Sequence, residues 1–140
     1  MTDLAKEIVA SKRLLASSMS GIGIAILTFT IQFFFGQVTN NEVSRIVFTL
    51  ILITIILSIF CFAFAVLFYQ NALEIYVMRG ETIQVEKDNN KGDLFFLVAF
   101  FSLLAEPAII LWAIEFFLVS LLSLIFWVGL VCFVVIRRRK

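Results

Sequence analysis

Two stretches of 28 residues without a charged side chain, 14–41 and 46–73, decide what this chain can fold into. Each exceeds the roughly 20 residues that an α-helix needs to cross a hydrocarbon core of about 30 Å. A third apolar stretch, 94–136, runs for 43 residues and is interrupted only by Glu106 and Glu115. That is too long for one span even with strong tilt, so it divides into a helical hairpin. At about 1.5 Å per residue, a helix starting near Leu94 carries Glu106 about 18 Å in and Glu115 to the far interface, with the turn just beyond. The chain therefore reads as a single all-α membrane domain, 1–140, with transmembrane helices at about 14–35, 46–74, 94–115 and 119–136. Composition agrees: 62% of the 140 residues are hydrophobic and the mean hydropathy is +1.09, outside the range of a soluble domain.

The basic residues orient these spans. Lys6, Lys12 and Arg13 precede the first; Arg79, Lys87 and Lys91 fall between the second and third; Arg137, Arg138, Arg139 and Lys140 close the sequence. Only Arg45 lies on the other side. The positive-inside rule then expects cytoplasmic termini and a cytoplasmic loop over about 79–93, where EKDNNKGD is polar and turn-rich. A multi-pass protein of the plasma membrane is the expected setting, with the RRRK tail against anionic lipid head groups. A cleaved signal peptide fits the first span poorly, because the apolar part is long and FTIQFFFGQV offers no small-x-small cleavage site.

Most chemistry is excluded by what the chain lacks. It has no histidine, and Cys61 and Cys132 both lie inside apolar runs, so neither a metal nor a disulfide framework is expected. No phosphate-binding, zinc-protease, redox or hydrolase motif occurs, and the GIG at 21–23 is too short to count. No enzyme activity and no cofactor are expected. A net charge of +1 gives no reason to expect a nucleic-acid partner.

Two features remain. The first span is rich in small and polar residues, and spacings of three and four place Arg13, Ser17, Gly21, Ala25, Thr28 and Gln32 on one stripe. Such a stripe is either a close-packing seam between helices or the lining of a pore, and four short helices need a closed oligomer to enclose a pore. The second feature is Glu106, set beside the only proline, Pro107, in SLLAEPAIILW. A carboxyl at mid-bilayer is expensive and should face protein or water. Ser102, one turn earlier, is placed to bond it. Glu106 reads either as a polar tie from the third helix to the first or as a relay for protons or cations. Glu115, Trp112 and Trp127 read as interfacial or packing residues.

LAEPAIILW resembles the third-helix pattern of the Orai family of calcium channels. SKRLLASS, at 11–18, is similar to that family's basic approach to its first helix, and LIFWVGLVCFVVIRRRK to its fourth helix and basic exit. The resemblance implies a hexamer with a pore lined by the first helix, on Gln32, Thr28, Ala25, Gly21, Ser17 and Arg13. Aligning on the serine pair instead implies Phe34, Thr30, Leu27, Gly23, Met19 and Leu15; the polar register is preferred physically. The family's outer ring of glutamates has no carboxylate counterpart in the first helix here, where Gln32 is nearest, and a neutral amide ring holds a hard divalent cation poorly.

The sequence thus points to a homo-oligomeric, cation-passing channel, with Glu106 and Ser102 as buried polar support. The rivals are a small proton-coupled exporter working through Glu106 and a membrane adaptor that transports nothing.

Overall fold

The computed structural model is all-helical: α1 (Asp3–Thr39), α2 (Arg45–Arg79), α3 (Thr82–Ala113) and α4 (Phe117–Arg138). The structure describes residues 3–40, 44–79, 82–113 and 116–138. All four helices are long and apolar enough to cross a membrane, and the chain is a multi-pass integral membrane protein. Glu115, Arg139 and Lys140 lie outside the described residues, as do the side chains of Arg137 and Arg138, so the expected lipid contacts of the tail fall there too.

Local chemistry accounts for the helix ends. The Ser44 carbonyl accepts the Phe48 N–H at 3.0 Å and opens α2, and the Phe116 carbonyl accepts the Ser120 N–H at 2.9 Å and opens α4. Hydroxyls inside the apolar helices bond back to the preceding turn, as Thr49 does to the Arg45 carbonyl at 2.8 Å and Thr39 to Gly36 at 2.7 Å. This lets a hydroxyl enter lipid without an unsatisfied hydrogen.

One expectation is corrected. The stretch expected as a loop, about 79–93, is helical from Thr82 onward, so α3 begins twelve residues before Leu94. Its polar turns hold together as an amphipathic helix: Val85, Asp88 and Gly92 are buried, at spacings of three and four, while Glu86, Lys87, Asn90 and Lys91 are exposed. Lys91 pairs with Asp88 at 3.8 Å within this turn. The other helices also extend past the expected bounds, α1 by about three turns at its start.

The helices pack as two compact units. Unit one comprises Met1–Ala25 and Leu57–Phe100; unit two comprises Ile26–Ile56 and Phe101–Lys140. In unit one, Val9, Ala16, Ala65, Tyr69, Ala72 and Val85 form the buried cluster. Alanines at these positions let backbones approach closely, which drives packing where lipid removes the hydrophobic incentive. Phenylalanines fill the remainder, with Phe62 edge-on to Phe96 at 5.4 Å and Phe68 stacked on Phe95 at 5.4 Å.

Unit two buries Phe34, Ile51, Ile55 and Ala108 together with three polar residues, Thr30, Glu106 and Ser120. Here α4 is pinned to α3 by side-chain donors. Ser120 Oγ donates to the Ala108 carbonyl at 2.7 Å, and Trp127 Nε1 donates to the Phe101 carbonyl at 2.8 Å. The two bonds fall on either side of Pro107, the residue that breaks the α3 hydrogen-bond ladder. Trp127 is therefore an interhelical donor and more than a packing residue.

Candidate functional site

Three places carry the polar chemistry of the described residues: the α1 stripe, a charged cluster in unit one, and Glu106 in unit two.

The structure separates the two registers of α1. In unit one, Ser17, Gly21 and Ala25 are exposed and Arg13 is half-buried; in unit two, Thr28 and Gln32 are exposed. The other register turns inward for the most part: Gly23, Thr30 and Phe34 are buried, Met19 and Leu27 half-buried, and only Leu15 exposed. Gly23 is buried for a steric reason, since a Cβ there would meet Ile59 Cγ1 at 2.8 Å. The small, polar face of α1 is thus left outside the packing of its own chain. Arg13 differs from the rest of the stripe, because its guanidinium donates to Gln70 Oε1 of α2, and Gln70 Nε2 donates to Glu74 Oε1 at 2.7 Å.

The charged cluster was not legible as a site in the sequence. Lys12 Nζ of α1 lies 2.9 and 3.0 Å from the two carboxylate oxygens of Asp93 in α3, and 3.3 Å from Asn89 Oδ1. Tyr69 OH of α2 donates to the same Asp93 Oδ1 at 2.7 Å, and the Lys12 ammonium stands 5.9 Å from the Tyr69 ring centre. Three helices therefore meet on one carboxylate. Gly92 makes this possible, because a Cβ there would lie 2.6 Å from Tyr69 Cε1 and 2.8 Å from Cδ1. A cleft of about 340 Å³ opens beside the cluster, lined by Ile8, Val9, Lys12, Val85 and Asn89 among others. Lys12 reaches it already neutralised by Asp93.

The Tyr69 ring cannot swing aside without giving up its bond to Asp93, so Gly92→Ala should overpack the helix crossing. A loss of about 2 kcal/mol in unfolding free energy is expected, read by denaturant titration in mixed micelles. Tyr69→Leu in the same chain should recover part of it, whereas an unchanged midpoint for Gly92→Ala alone would contradict this packing.

Glu106 is only 3% exposed, and neither carboxyl oxygen has a hydrogen-bond partner among the described residues. The bonds expected to Ser102 and to the first helix are not formed, and Ser102 is itself half-buried. Thr54 of α2 lies close enough to act on the carboxyl. Its hydroxyl hydrogen, however, is directed at the carbonyls of Leu50, 2.9 Å away, and Ile51, 3.0 Å away. Geometry therefore favours an unpartnered acid.

Among the described residues no cluster of three or more metal-ligating side chains occurs. Compared with models of protein families, with curated proteins and with solved structures, the chain matches none.

Proposed function

We propose that the chain is one subunit of a closed homo-oligomer that passes inorganic cations along α1, with Gln32, Thr28, Ala25, Gly21, Ser17 and Arg13 toward the path. The observation that carries this reading is the exposure of the small, polar face of α1 while the opposite face packs inward. Lipid offers the Gln32 amide nothing to bond, whereas water or a second copy of α1 does, and the small residues of the stripe allow a second helix close approach. Hydroxyl and amide oxygens on a neutral lining suit a weakly selective cation path, and the absence of any carboxylate on the stripe argues against a calcium filter. The tie from Arg13 through Gln70 to Glu74 draws the one stripe charge toward α2. The Orai-like motifs support the same layout, including a hexamer and termini on the cytoplasmic side of the plasma membrane.

A second reading, a proton-coupled exporter, is favoured by one observation, the buried and unpartnered carboxyl of Glu106. The two differ in what they need: the exporter loses all pH-driven transport in Glu106→Gln, and the channel retains conductance.

Thiol accessibility tests the lining. Cysteines placed at 28 and 32 should react with water-soluble thiol reagents in vesicles. Those at 51, buried, and at 126, on the apolar surface of α4, should be protected. Equal protection at all four positions would overturn the proposal.

A further inference from the structure

Glu106 stands almost alone as an ionisable group in its unit. Among the described residues of unit two, α1 supplies no other titratable side chain, α3 supplies none, and α4 supplies only Cys132 through Val134. From α2 the sole charge is Arg45, nine residues before Thr54 and so about 14 Å away along the helix. No counter-charge is therefore built for a carboxylate. A buried charge left unpaired is among the most expensive features a fold can carry.

Two groups can accept a hydrogen from Glu106, the Thr54 hydroxyl of α2 and the Leu103 carbonyl of α3. With its hydrogen directed at Leu50 and Ile51, Thr54 can offer the carboxyl an oxygen lone pair. Pro107 supplies no N–H, so the Leu103 carbonyl loses its helical donor, and Leu103 lies one turn before Glu106 on the same face of α3. The Leu103 carbonyl can bond only a carboxylic O–H. A carboxylate has only the Thr54 hydroxyl to accept from, at the expense of that hydroxyl's bonds to the Leu50 and Ile51 carbonyls.

We propose that Glu106 is a proton-binding site, which takes up one proton from water and directs it to Thr54 Oγ1 or the Leu103 carbonyl. Uptake removes one negative charge; release returns the proton to water and leaves a carboxylate that this packing does not accommodate. None of this requires α1 to conduct ions, so it stands or falls separately from the permeation reading.

Infrared spectroscopy of the full chain in lipid vesicles reads the proton directly. A carbonyl band of a neutral carboxylic acid should appear, shift in heavy water, shift again when the protein carries ¹³C-labelled glutamate, and vanish reversibly as pH is raised. Glu106→Gln should lack it. In Glu106→Asp the band should survive but no longer respond to the glutamate label, which assigns the site even where the Gln variant fails to fold. Absence of the band at every pH at which the chain stays helical would overturn the proposal. So would a band that pH does not change, or one that persists with its glutamate shift in Glu106→Asp.

Discussion

Asp93→Ala is expected to lower the unfolding free energy by about 3 kcal/mol. The reason is that one carboxylate serves three helices. Its removal leaves Lys12 without its counter-charge and takes the acceptor at 2.7 Å from Tyr69, whose side chain is 1% exposed. The loss stays at the lower end for a buried pair because the Lys12 and Asp93 side chains remain 32% and 25% exposed, which lets water compensate in part. Tyr69→Phe removes the hydrogen bond to Asp93 and should cost about 1 kcal/mol. A double-mutant cycle between positions 12 and 93, followed by circular dichroism in mixed micelles, isolates the pair. If Asp93→Ala behaved like a surface substitution, within about 0.5 kcal/mol of wild type, the cluster would contribute nothing to the fold.

Glu106→Leu should act in the opposite direction and stabilise the chain by about 2 kcal/mol. The substitution removes a desolvated polar group and forfeits at most the one weak bond its proton can make, to Thr54 Oγ1 or the Leu103 carbonyl. Leucine keeps most of the volume between α3 and its neighbours in unit two, which limits any cavity. A residue that weakens its own fold is retained for some other reason, and proton binding supplies one. A Glu106→Leu protein less stable than wild type would mean that the hydrogen bond of the protonated carboxyl outweighs its desolvation.

The four spans were legible because charge is so costly in hydrocarbon that its absence over 28 residues, twice, allows few alternatives. The burial of Glu106 was legible for the same reason, since a carboxyl inside an apolar run has to face protein or water. The beginning of α3 was not. Between Thr82 and Asp93 the helix buries one apolar side chain, Val85, beside an aspartate and a glycine, so hydrophobic periodicity is nearly silent there while NNKGD carries the composition of a turn. The neighbouring helices supply the order that local propensity does not.

The cluster escaped for a related reason. Lys12, Tyr69 and Asp93 are separated by 57 and 24 positions, and nothing in the sequence says which lysine meets which aspartate. A sharper question could have found it: which residue in a polar stretch is small enough for an aromatic ring to pack against it, a question Gly92 answers. On α1 the sequence supplied both registers and a physical preference. In the structure Thr30 and Phe34 pack inward while Thr28 and Gln32 are exposed.

The central claim is that ions move along the exposed face of α1, and flux through purified protein in vesicles tests it most directly. Vesicles holding the wild-type chain should release a monovalent cation down its gradient, and a water-soluble thiol reagent should leave that flux intact, since Cys61 is buried and Cys132, though exposed, lies on α4 and not on α1. The same reagent should block flux through Gln32→Cys. Absence of cation flux in the wild type, or flux in Gln32→Cys that the reagent leaves unchanged after complete modification, would contradict the account.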